Sequence, residues 1–128
     1  MGEARKRVMV VDDAALVRLY VRETLEQAGF DVDEAMNGIE ALEKLLTSAV
    51  DLLIVDVNMP QMDGFTFLGA VRRQELPLAS TPALITSTEA GPQDFAAARA
   101  AGANFYLVKP VSREKLAQFA AILCGTEA

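Results

Sequence analysis

The sequence predicts a single α/β domain spanning residues 1–128, a doubly wound parallel sheet of five strands covered by five helices. Short, continuous apolar runs recur along it, as in strands buried on both faces. The segments between them carry apolar residues at helical spacing. The two patterns alternate five times, the order expected when parallel strands are joined by crossover helices.

The first strand is Val8-Met9-Val10-Val11, which runs into the carboxylate pair Asp12-Asp13. Val17, Tyr20, Val21 and Ala28 stripe the first helix, and Gly29 follows where a left-handed cap would end it. Asp31 to Ala35 is a weaker second strand, and Ala41, Leu42, Leu45 and Leu46 stripe a second helix. Leu52-Leu53-Ile54-Val55 reads as the most buried strand and stops at Asp56, with a third helix starting near Gly64. Pro77 and Pro82 bracket a loop, and Ala83-Leu84-Ile85-Thr86 forms the fourth strand. The Ala-rich stretch from Gln93 to Ala101 gives a fourth helix ended by Gly102, and Phe105 to Val108 the fifth strand. Leu116, Phe119, Ala120 and Leu123 then mark the last helix at i, i+3, i+4, i+7.

Composition narrows the chemistry. A chain of 128 residues with 52% apolar content builds one sizeable core. Its 12 basic and 18 acidic side chains leave a formal charge of -6, which opposes a phosphate backbone and argues against direct nucleic-acid binding. The single cysteine, Cys124, has no disulfide partner within the chain, and the N-terminus has no signal-peptide pattern, which together point to the cytoplasm. No apolar run approaches the roughly 20 residues that span a bilayer, so no membrane insertion is expected. With no histidine, chemistry must rest on carboxylates, hydroxyls and lysines.

Open parallel sheets bind ligands beyond the carboxyl ends of their strands. There the first strand ends at Asp12-Asp13, the third at Asp56, the fourth at Ser87 and the fifth at Lys109-Pro110. Each residue alone has a plainer explanation. Asp13 suits a helix cap, Asp56 a turn former ahead of Asn58-Met59-Pro60, Lys109 a solvated charge and Ser87 a satisfied strand-end hydroxyl. None of these explains why the polar groups converge on one edge. Three carboxylates about 4 Å apart repel by roughly 4 kcal/mol per pair at an effective dielectric near 20, so a cation belongs among them. Magnesium suits an all-oxygen site, whereas zinc would want histidines and thiolates. Lys109 adds a fixed positive charge, and Asp56, facing the Asp12-Asp13 pair, is the expected nucleophile toward phosphorus.

These residues resemble the CheY-like receiver domains of two-component response regulators. The resemblance covers essentially the whole chain. It rests on Asp12-Asp13, on the run Asp56-Val57-Asn58-Met59-Pro60-Gln61-Met62-Asp63-Gly64, on Ser87, and on Tyr106 with Lys109-Pro110. It implies a flavodoxin-like strand order of 2-1-3-4-5 and transfer of a phosphoryl group to Asp56 from a histidine kinase or phosphotransfer protein. The Asn58 backbone carbonyl would complete a Mg2+ site with Asp12, Asp13 and Asp56. Ser87 would hydrogen-bond a phosphoryl oxygen and Tyr106 would rotate inward as the switch. Lys109-Pro110 would be a cis peptide, and a downstream protein target would be met through the face of the fourth helix, fifth strand and fifth helix. Such a domain is a signalling phosphoacceptor that assists its own phosphorylation and dephosphorylation rather than an enzyme. Asp63 needs only the role of a helix cap. Thr88 departs from the small Ala or Gly expected after the switch hydroxyl and would narrow access to Asp56. Asn58 and Glu89 sit where the family tunes dephosphorylation.

Two rivals fit less well. A phosphatase of the haloacid dehalogenase kind wants a second acid two residues after its nucleophile, but Ala14 follows Asp12-Asp13 and Asn58 follows Asp56. A flavin-binding carrier needs a glycine- and hydroxyl-rich phosphate loop, and Asp12 to Leu16 would repel a phosphate.

Overall fold

The computed structural model describes residues 5–126. Five strands form one parallel sheet: β1 (Arg7–Val11), β2 (Asp31–Ala35), β3 (Leu52–Asp56), β4 (Ala83–Ser87) and β5 (Phe105–Val108). Their spatial order is β2-β1-β3-β4-β5, as the resemblance implies. The helices are α1 (Ala15–Gln27), α2 (Gly38–Thr47), α3 (Gly64–Arg72), α4 (Pro92–Ala101) and α5 (Arg113–Cys124).

Every residue of β3 and β4 is buried, which is why these strands read as unbroken apolar runs. Alternate side chains feed two cores. Met9, Val11, Leu53, Val55 and Ile85 meet Ala41, Leu45, Phe67, Leu68 and Val71 on one face. Val8, Val10, Leu52, Ile54 and Leu84 meet Val21, Leu25, Leu116 and Ala120 on the other. A one-residue register slip would exchange the two sets, so the packing fixes which residue stands at each strand's end.

Local signals set the helix boundaries. Asn37 caps α2 by accepting from the Glu40 N–H at 2.8 Å, and Ser112 caps α5 through the Lys115 N–H at 3.1 Å. Gly102 ends α4 in the left-handed region at φ 98°, where a side chain would be strained. The expected elements recur with small shifts. Helix α4 begins at Pro92, one residue before the expected Gln93, because proline suits a first helical turn. The loop bracketed by Pro77 and Pro82 winds a 3-10 turn, Leu78–Ser80. Ala28 lies past the end of α1 and is exposed, while Leu25 takes the buried position assigned to it; Leu46 of α2 faces solvent at 67% exposure. Among the described residues no helix is long and apolar enough to cross a membrane.

Candidate functional site

Asp12 directly follows β1, and β1 pairs with β3, which ends at Asp56, so the fold sets these carboxylates side by side. One oxygen each of Asp12, Asp13 and Asp56 lie within 4.8 Å of one another. Asp12 and Asp56 are nearly inaccessible, at 2% and 5% exposure, while Asp13 is exposed. The Lys109 Nζ reaches in from beyond β5 and donates to Asp56 Oδ1 at 3.0 Å and Asp12 Oδ2 at 3.2 Å. The Lys109-Pro110 peptide is cis.

Burial is the largest influence on Asp56 and pushes its carboxyl above the ordinary value; the Lys109 hydrogen bond opposes this and the charge of Asp12 adds to it. For Lys109 burial works downward, but the Asp56 hydrogen bond and the charges of Asp12 and Asp56 outweigh it and hold the ammonium above its ordinary value. Three carboxylates against one ammonium leave a local charge of minus two, and each carboxylate pair repels by roughly 3–4 kcal/mol at an effective dielectric near 20. A divalent cation with oxygen ligands closes that balance. With no imidazole or thiolate in the cluster, the donor set fits magnesium and not zinc.

The surrounding loops hold this geometry. The Ala14 N–H donates to Asp12 Oδ1 at 2.9 Å, which folds the Asp12 side chain back on the turn before α1, and neither Asp12 nor Asp13 caps that helix. Asp63 caps α3 by accepting from the Thr66 N–H at 2.8 Å. Gly64 is dictated by close approach: a Cβ there would collide with the Asp56 carbonyl and lie 2.9 Å from the Val57 Cα. Ser87 ends β4 at 1% exposure, one residue past the Thr86 that pairs with Asp56. Its hydroxyl accepts from the Glu89 N–H at 3.1 Å, and the Tyr106 hydroxyl donates to the Glu89 carbonyl at 2.9 Å. The Tyr106 ring meets Phe95 edge to face at 4.7 Å. Asn58, Thr88 and Glu89 are exposed. An apolar cavity of about 580 Å³ opens beside the acids, walled by Leu16, Val17, Tyr20, Thr88, Pro110 and Val111.

The model of the family described as "Response regulator receiver domain" matches residues 8–121. The chain belongs to that family. This receiver domain is 36% identical over 122 residues to chemotaxis protein CheY1 of Helicobacter pylori, covering 94% of this chain and 98% of that one. It is 34% identical over 110 residues to Protein PilG of Pseudomonas aeruginosa, covering 86% and 81%. The solved structure of Vibrio cholerae chemotaxis protein CheY4 is similar to it, with a TM-score of 0.88, 40% identity, and 94% and 99% of the two chains covered. The receiver domain is thus a two-component signalling module, and its acidic cluster is the kind of pocket in which receiver domains bind magnesium.

The fold brings together Asp12, Asp13, Asp56 and Lys109, and sets Ser87 on the neighbouring strand end. Tyr106 stands further out, partly exposed and tied to the loop that follows Ser87. Arg18, which donates to the Asp12 backbone carbonyl at 2.6 Å, was missed, because nothing in a helical pattern reports a side chain aimed at a carbonyl. The Glu89 backbone link between Ser87 and Tyr106 was equally invisible, since it depends on loop conformation alone.

Proposed function

We propose that this receiver domain accepts a phosphoryl group on Asp56 from a histidine kinase or phosphotransfer protein and signals through protein contacts. One observation carries the reading: the Lys109 ammonium lies between two buried carboxylates, Asp12 and Asp56, at the carboxyl edge of the sheet. An Asp56 carboxylate oxygen attacks phosphorus in line, an O–P bond forms, and the P–N bond to the donor histidine breaks. The imidazole leaves with the bonding electrons and takes its proton from solvent.

Lys109 stays charged because Asp12 and Asp56 hold its proton, and it compensates charge on the phosphoryl oxygens. Asp12, Asp13 and Asp56, with the Asn58 backbone carbonyl, would hold Mg2+, which neutralises phosphoryl charge when bound. Ser87 offers its hydroxyl to a phosphoryl oxygen. That hydroxyl now accepts from Glu89, and the proton of the hydroxyl remains available to donate. Asn58 and Glu89, both exposed, flank the path of a water that hydrolyses the acyl phosphate, so the domain assists its own dephosphorylation.

Output runs through the α4-β5-α5 face. Phe95, Phe105, Val108 and Ile122 are 40%, 43%, 39% and 63% exposed, and Phe105 meets Phe119 edge to face at 4.5 Å, which gives a downstream protein an apolar surface. Tyr106 connects that face to the loop after Ser87 and serves as the switch. Residues 1–128 form one receiver domain of the cytoplasm, a placement its lone free thiol, Cys124, supports.

Reductive trapping tests the reading at residue resolution. Borohydride converts an acyl phosphate to an alcohol, so a phosphorylated sample yields homoserine at position 56 on peptide mapping. Modification at Asp12, Asp13 or no aspartate at all would defeat the assignment.

A further inference from the structure

Of the three acids at the site, Asp13 has the least to hold it. Asp12 is fixed by the Ala14 N–H and by Lys109, and Asp56 by Lys109. The Asp13 side chain is exposed, and among the described residues it makes no hydrogen bond or ion pair of its own. Its direction is inherited from the backbone, through the peptide plane between Asp12 and Asp13.

That plane is held through the Asp12 carbonyl. Arg18 Nη1 donates to the Asp12 carbonyl at 2.6 Å, and its Nε donates to Glu34 Oε1 at 3.0 Å. Arg22 Nε donates to Glu34 Oε2 at 2.7 Å, so both carboxylate oxygens of Glu34 are occupied. The Arg18 side chain is only 14% exposed. Burial of Glu34 works to raise its carboxyl, but hydrogen bonds from Arg22 and Arg18 and their charges hold it below the ordinary value, so it stays ionised. The brace joins α1 to β2 across the loop bearing Asp12 and Asp13. On the other side, the Asp12 N–H donates to the Ala35 carbonyl at 3.1 Å. Hydrogen bonds at both its N–H and its carbonyl thus leave the Asp12 backbone little freedom to turn.

We infer that Arg18 and Glu34 form a positioning brace that aims Asp13 at the divalent cation, an inference that rests on the proposed Mg2+ site. The brace makes a prediction whose sign opposes simple electrostatics. Arg18 is a cation near an acidic cluster, and by charge alone its removal should tighten Mg2+ binding. As a brace its removal should weaken binding, because hydrogen-bond partners that orient metal ligands commonly carry about 10- to 100-fold in affinity.

The test is isothermal titration of MgCl2 into metal-free, unphosphorylated protein, with a thermal melt of each variant to confirm folding. Arg18→Met should weaken Mg2+ binding by roughly tenfold. Glu34→Gln should weaken it less, since Arg18 still reaches the Asp12 carbonyl. Placed on Asp13→Asn, Arg18→Met should lose its weakening effect, because the ligand it aims is already gone. Tighter or unchanged binding in Arg18→Met, or an undiminished effect in the double variant, overturns the brace. Should Arg18→Met not fold, Arg18→Lys replaces it: lysine lacks the fork that spans both acceptors, and binding as tight as wild type overturns the inference. A wild type that binds no Mg2+, or an Asp13→Asn variant that binds as wild type does, would instead defeat the site itself.

Discussion

The Tyr106 hydroxyl donates to the Glu89 carbonyl across 2.9 Å, and this contact ties the proposed output face to the loop that follows Ser87. Glu89 also donates its N–H to the Ser87 hydroxyl at 3.1 Å. One residue's backbone therefore joins the two groups assigned to the switch. On the proposed reading, Ser87 turning its proton toward a phosphoryl oxygen would draw the loop toward Asp56 and move the acceptor of Tyr106 with it.

Ser87→Ala should keep phosphoryl acceptance while blunting the conformational response. Moving a two-state equilibrium from 1:99 to 99:1 takes about 5.5 kcal/mol, and one hydrogen bond to a charged group contributes only about 1.5–3 kcal/mol. Lys109 and the loop after Asp56 must therefore supply the remainder. Phosphorylation by acetyl phosphate, with NMR shifts of the Tyr106 ring, checks both halves. A variant that accepts no phosphoryl group would show that Ser87 belongs to the transfer step.

Asp56→Asn should stabilise the metal-free protein at neutral pH. Burial, foremost, raises the folded Asp56 carboxyl above its 3.8 reference, so the folded state binds this proton more tightly than the unfolded chain. Ionised Asp56 thus costs stability, fully so above its raised folded value and not at all below about 3.8. The variant, neutral throughout, should melt a few degrees higher at pH 7.5 in chelator, and its advantage should vanish as the pH falls to that reference. Lys109 keeps Asp12 as a partner at 3.2 Å in either case. A lower melting point at neutral pH would mean that the Asp56–Lys109 attraction outweighs burial.

Gly64→Ala should destabilise the domain by about 1–3 kcal/mol, the usual cost of forcing atoms into a filled space. The added methyl meets the Asp56 carbonyl and the Val57 Cα, so the loop after the phosphoacceptor must shift. Urea titration measures the loss, and phosphorylation should slow with it. Wild-type stability would show that the loop yields freely.

Thr88→Ala should speed phosphoryl transfer from acetyl phosphate severalfold. Thr88 is exposed and lines the cavity that also touches Asp56 and Lys109, which sets its branched side chain beside the proposed approach. Stopped-flow rates equal to those of wild type would remove it from the path.

The central strands were legible because β3 and β4 are buried on both faces: Leu52 to Val55 cannot be read as an amphipathic helix, and the carboxylate that ends it stands out. The acidic cluster was legible for a related reason, since Asp12 and Asp56 break apolar runs at strand ends where ligands gather. Helix faces were read less well. Leu46 matched the α2 stripe yet faces solvent, and Ala28 fell past the end of α1, because spacing alone does not say where a neighbour stops covering a helix. Arg18 and the Glu89 backbone were not legible at all. Both act through main-chain groups, which a sequence does not distinguish from one residue to the next.

Everything turns on whether Asp56, among acids that demand a divalent ion, becomes an acyl phosphate. Intact-mass spectrometry with acetyl phosphate, with and without MgCl2, on wild type and Asp56→Asn addresses this directly. Wild type should gain one phosphoryl group, the gain should require magnesium, and it should be absent from the variant. A gain without magnesium, or one that survives in Asp56→Asn, would contradict this.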